Sequence, residues 1–186
     1  MPERGDLAGE EMTITLEAYR PVEVEDLLRE LARVYANGRV EFVSFLIKPA
    51  AQAAQLAQSA RLDSAATWSR LLLQPLVVAT MAAPWANASG IQRLAVTTLA
   101  PNELAADISA TLAQGGAYLR TPPDEAQALA EAFCAAVFRE IPMGYPVAKS
   151  RNWWSDWFMV VAWDHTWLGL DPGNGRFWVL RATDTD

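Results

Sequence analysis

Apolar and polar positions change period repeatedly along this chain, and each change marks an element. Thr13–Ala18 alternates and predicts a short strand. After Pro21, Val24, Leu27, Leu28, Leu31 and Val34 recur at helical spacing, with Glu25, Arg29, Glu30 and Arg33 on the other side. That is an amphipathic surface helix. Asn37-Gly38 stops it and turns the chain into Val40–Ile47, whose β-branched and aromatic content predicts a strand. Residues 49–66 are rich in Ala and Gln and predict a helix with a thin apolar face. Residues 68–83 fit either a buried helix kinked at Pro75 or two short strands, because periodicity does not separate them. Ile91–Leu99 reads as a strand, and Asn102 as the N-cap of a helix through Ala113, closed by Gly115-Gly116. Thr121-Pro122-Pro123-Asp124-Glu125 combines a cap, first-turn prolines and acids placed against the helix dipole. It predicts a helix to about Arg139, ended by Pro142, with Leu129, Phe133, Ala136 and Val137 on one face beside Cys134.

The C-terminal block is the most apolar. Six of the eight tryptophans lie between Trp153 and Trp178. The block predicts a three-stranded antiparallel meander over Trp157–Trp163, Thr166–Leu170 and Arg176–Arg181. The second connection, Asp171-Pro172-Gly173-Asn174-Gly175, is dense in turn formers. Closing it with Leu170 opposite Arg176 pairs Leu168 with Trp178 and Trp167 with Val179. A two-residue turn at Asp164-His165 sets Ala162 beside Trp167. Both faces of this meander are apolar, so both need cover. The helices over 102–113 and 122–139 supply one cover. The other is open: a partner, a ligand or a second copy of the chain would fill it. The expected fold is α+β, one domain over 13–186 with a mostly antiparallel sheet packed by helices, after a flexible tail at 1–12. Met12 opens the more orderly sequence, which leaves either Met1 or Met12 as the start.

Composition narrows the function classes. The chain has 22 acidic and 15 basic residues, a net charge of −7. That disfavours nucleic acid and anionic membranes, which need basic patches. It favours plain solubility or a basic protein partner. No apolar run reaches the roughly 20 residues of a spanning helix, and the N-terminus lacks a signal-peptide pattern. One cysteine, Cys134, excludes an intrachain disulfide and fits a reducing cytoplasm. Thirteen of the fifteen basic residues are arginine and alanine is abundant, as in GC-rich bacterial coding.

Candidate sites are few. Tryptophan joins a large apolar area to one N–H donor, so Trp153, Trp154 and Trp167 are candidate contacts for a ligand or partner. Trp153 and Trp154 adjoin each other in a polar loop with Lys149 and Arg151 and cannot both enter one core. His165, the single histidine, follows Asp164 and is a candidate general base, although no nucleophile motif accompanies it. Asp184 and Asp186, at i and i+2 in the closing TDTD, are candidate oxygen ligands for Mg²⁺ or Ca²⁺, against a frayed acidic tail as the plainer alternative. Neither glycine cluster has the spacing of a nucleotide loop, and no cofactor is implied.

The pattern W-x-x-W-F-x-x-V-A-W-D-x-T is carried by Trp154, Trp157, Phe158, Val161, Ala162, Trp163, Asp164 and Thr166. It runs on through Asp171–Arg176 to the terminal TDTD. Over this fifth of the chain the sequence resembles small bacterial proteins of unassigned activity. More loosely it resembles SUKH-type immunity proteins of polymorphic toxin systems, which also place a tryptophan-bearing meander after helices. The usual proline-led helical motif of that group is missing from the first half, and no functional residue carries over. The resemblance and the composition together lead to a non-enzymatic cytoplasmic protein-binding domain. The competing expectations are a small hydrolase or metal-dependent enzyme using Asp164, His165 and Asp184, and a homodimer closing over the open sheet face.

Overall fold

The computed structural model describes residues 11–81, 94–138 and 145–185. In chain order these form β1 (Thr13–Glu17), α1 (Val22–Val34), β2 (Arg39–Lys48), α2 (Ala50–Leu62), α3 (Ser64–Leu72), α4 (Pro75–Thr80) and β3 (Thr97–Leu99). Then come α5 (Pro101–Gln114), α6 (Pro123–Val137), β4 (Val147–Ser150), β5 (His165–Asp171) and β6 (Arg176–Thr183). The strands build one six-stranded sheet in the order β1-β2-β6-β5-β4-β3, with every neighbouring pair antiparallel. The C-terminal strand therefore sits between β2 and β5. It is buried along its whole length, as is β5. This is the expected α+β domain.

Both faces of the sheet are covered from within the chain. On the first, Leu27 and Leu31 of α1, Leu104 and Ile108 of α5 and Phe133 of α6 pack on Trp167, Trp178 and Leu180. On the second, Leu56, Trp68, Leu71 and Val77 from α2, α3 and α4 pack on Phe45, Leu168, Phe177 and Val179, joined by Trp154 and Phe158. Trp68, Trp154, Trp167 and Trp178 are all fully buried. Each such side chain stabilises the fold by roughly 1.5–3 kcal/mol. The tryptophan block is thus mainly core, and the open face that motivated a homodimer is filled by the first half of the chain.

Several elements differ from expectation. Residues 157–163 do not form a strand; the meander's third member is β4, and residues 151–164 are a strap of turns across the second face. An extended strand would hold residues four apart roughly 13 Å from each other; here Trp154 and Phe158 pack edge to face with ring centroids 5.3 Å apart, so the backbone between them turns. The predicted Asp164-His165 turn is absent with it, since His165 begins β5.

The β5–β6 register slides by one residue, so that Asp171 faces Arg176, Leu168 faces Val179 and Gly169 faces Trp178. Asp171 Oδ1 accepts the Gly173 and Asn174 amides at 3.0 and 3.1 Å, which closes the turn one residue later. A Cβ at Gly169 would lie 2.1 Å from the Trp178 ring. Small still faces large, with different partners.

Asn102 lies inside α5, whose start is set by Pro101 and by the Glu103 carboxylate accepting the Ala100 amide at 2.8 Å. Likewise Thr121 does not cap α6; Pro122 precedes it, and the Thr121 hydroxyl donates to Glu30 at 2.6 Å. The helix expected over 49–66 breaks at Asp63, whose carboxylate caps α3 through the Ala66 amide at 3.0 Å. Around Pro75 the helical alternative holds. The strand expected from Ile91 is confined to Thr97–Leu99, with 91–93 outside the described residues, as are Arg139 and Pro142. Of the expected tail, residues 1–10 are also outside, while Met12 packs against the second core.

Candidate functional site

The predicted candidates gather at one end of the sheet, where β5 begins and β6 stops. Strand alternation points His165 and Trp167 to the first face, opposite Ala182 and Leu180. Tyr35, just past the last turn of α1, stacks on His165 with centroids 6.2 Å apart and planes 10° from parallel. His165 stacks in turn on Trp167 at 5.4 Å and 7°. Trp167 Nε1 donates to Asp107 Oδ2 at 2.8 Å, and Lys149 holds the other oxygen of the same carboxylate.

Burial pushes the His165 imidazole down to about 4, helped by the positive charges of Arg151 and Lys149 and opposed by Asp107. The ring is therefore neutral at pH 7, a packing group between two aromatic planes and not the turn residue expected. Burial and the nearby Asp184 charge push the Tyr35 hydroxyl well up, and among the described residues that hydroxyl has no partner.

Asp184 is fully buried, which removes the frayed-tail alternative for it. Its Oδ1 accepts the Asn37 amide at 3.2 Å and its Oδ2 the Ala117 amide at 3.4 Å. A Cβ on Gly116 would stand 2.4 Å from Asp184 Oδ2, so the glycine after α5 lets that loop close onto the carboxylate. Asp186 lies outside the described residues. Among the described residues no three His, Cys, Asp or Glu side chains converge as metal ligands.

Asp164 serves the other face. Its Oδ1 accepts the Thr183 hydroxyl at 2.5 Å and its Oδ2 the Val161 amide at 3.1 Å. Thr183 Oγ1 also accepts the Met159 amide at 3.2 Å. By alternation Thr183 shares its face with Phe177 and Val179. The structure thus separates the three residues of the enzyme expectation: His165 and Asp184 border Tyr35 on one face, while Asp164 holds the strap on the other. Trp154 and Trp167 are also displaced from their expected role, because both are core; Trp154 Nε1 donates inward to Thr166 Oγ1 at 2.8 Å. Trp153 is exposed, so the adjacent pair splits as anticipated, one in and one out.

Tyr35, Asp107, Lys149, Thr183 and Val160 were not singled out by sequence reasoning. Only Tyr35 carried a signal, as an aromatic residue just before the Asn37-Gly38 helix stop. No family model, no curated protein and no solved structure matches this chain.

Proposed function

We propose that this chain is a non-enzymatic protein-binding domain of the bacterial cytoplasm, immunity-like in kind, that meets its partner with the loops at this end of the sheet. The observation that carries the reading is the outer side of the strap. Trp153 is 38% and Val160 57% exposed on a segment whose Trp154 and Phe158 are locked into the core. The loop whose Ala117 amide binds Asp184 adds Tyr118 and Leu119, both exposed. Exposed apolar side chains that gather into a patch mark interaction surfaces, and aromatic anchors such as Trp153 and Tyr118 are the residue types that supply most affinity once a partner covers them.

The polar groups nearby favour binding over catalysis. Asp164 and Asp184 accept hydrogen bonds from protein donors, and His165 is neutral and enclosed between rings. A general base must reach a substrate proton, and this arrangement turns each candidate inward. The net charge of −7 suits a basic partner, whose association would slow as salt rises.

The test is affinity capture of the tagged chain from a lysate of its source organism, beside a Trp153→Ala/Val160→Asp double variant that retains its melting profile. One near-stoichiometric partner on the wild type, lost from the variant, is the expected result. A partner held equally by both, or none at all, would sink the reading.

A further inference from the structure

We propose that Asp164 and Thr183 form a latch that fixes the strap in one strained conformation and so presents Val160 to a narrow apolar recess on a protein partner. What the presentation is for rests on the binding reading above; the latch itself rests on the hydrogen bonds. Val160 has φ 61°, the left-handed region, and is the only non-glycine residue there among the described residues. A β-branched side chain is strongly disfavoured in that region. Such strain persists only where the surroundings over-determine it.

The surroundings can be named. The amides on either side of Val160 are tied to the two members of one hydrogen-bonded pair: Met159 to Thr183 Oγ1 and Val161 to Asp164 Oδ2. Thr183 is fully buried, and Asp164 is buried beside it. Trp154 and Phe158 anchor the strap from below. The strain does not serve to bury the valine, which stays more than half exposed. Its consequence is that a branched aliphatic side chain points outward in a fixed direction, which lowers the ordering cost of an encounter. From Asn152 to Trp163 the only charged side chain is Asp156, so the strap itself suits an apolar recess and not a charged groove.

The latch is tested without a partner, by amide hydrogen exchange on the full chain. Thr183→Val removes the hydroxyl at constant shape. It should speed exchange of the Met159 and Val161 amides at least tenfold, with Leu168 and Leu180 in the sheet little changed. Thr183→Ser keeps the hydroxyl and should restore slow exchange at both strap amides. Asp164→Ala, which removes both acceptor oxygens, gives a second route to the same local loosening if the valine variant folds poorly. Unchanged exchange at Met159 and Val161, an equal rise at Leu168 and Leu180, or a serine variant as loose as the valine one would overturn the latch. The partner captured by the wild type then tests the presentation: Thr183→Val should bind it at least tenfold more weakly, and Thr183→Ser should not. Local loosening with undiminished affinity would overturn the presentation of Val160 while leaving the binding reading standing. Failure to capture any partner would sink that reading and the presentation with it, with the exchange result still deciding the latch.

Discussion

Tyr35 and His165 show how a buried polar group affects stability when its partners are few. The Tyr35 hydroxyl is enclosed and has no hydrogen-bond partner among the described residues, so it is desolvated without compensation. Tyr35→Phe keeps the stack on His165 and removes the uncompensated group. It should stabilise the fold by about 1 kcal/mol and raise the melting temperature by roughly 2–4 °C. A lower melting temperature would show that the hydroxyl is satisfied after all.

His165 gives a pH signature. Its folded value of about 4 lies below the ordinary 6.5, so between those values the unfolded chain binds the extra proton. Stability therefore rises with pH across that window, is fully present above about 6.5 and is lost as pH falls towards 4. Between pH 7 and pH 5 the loss from this one ring should be about 2 kcal/mol. Urea unfolding at the two values measures it, and His165→Phe, which keeps a flat ring in the stack, should flatten the difference. An equal slope in that variant would place the pH dependence elsewhere.

At the scale of elements, the β5–β6 hairpin depends on one close approach. Gly169 faces the Trp178 indole so tightly that an alanine methyl would overlap the ring. Trp178 in turn touches Phe42, Phe133 and Phe138, so it has little room to retreat. Gly169→Ala should cost about 1–3 kcal/mol through overpacking, read as a lower urea midpoint at unchanged slope. A neutral result would argue for another register.

The same hairpin shows what was legible beforehand. Its existence could be read from the Pro-Gly-Asn-Gly turn, and α1 from five apolar residues at helical spacing, because both signals are local. The one-residue register depends on how Asp171 hydrogen-bonds the turn, a choice that local composition does not make. The strap is harder still. Residues 157–163 are as apolar as a strand, and what makes them a strap is Trp154 meeting Thr166 and Asp164 meeting Thr183, contacts between separated parts of the chain. Misplacing that strand also misplaces His165 into a turn. Asp184 looks like a tail residue because its partners, Asn37 and Ala117, lie 147 and 67 residues away in sequence. The candidates lie together at one end of the fold, and their surroundings are set by distant partners.

The whole molecule turns on how its sheet is covered. A sheet apolar on both faces must be sheltered twice, and here one chain supplies both shelters: α1, α5 and α6 on the first face, α2, α3, α4 and the strap on the second. Self-association is therefore not needed to bury the sheet, and two copies each carrying a net −7 repel. Among the described residues the large apolar side chains left exposed are Trp153, Val160, Tyr118 and Leu119 on loops at this end, and Leu16, Val22, Leu62, Leu73 and Leu76 elsewhere on the surface. The purified chain should accordingly run as a monomer of 20.4 kDa in light scattering at about 100 μM, a concentration far above that of an obligate-dimer equilibrium. A mass twice as large that returns to the monomer value in Val160→Asp would make the strap a homodimer surface and replace the heterologous partner with a second copy. A monomer would fit the proposed heterologous partner, whose basic surface the acidic chain would attract.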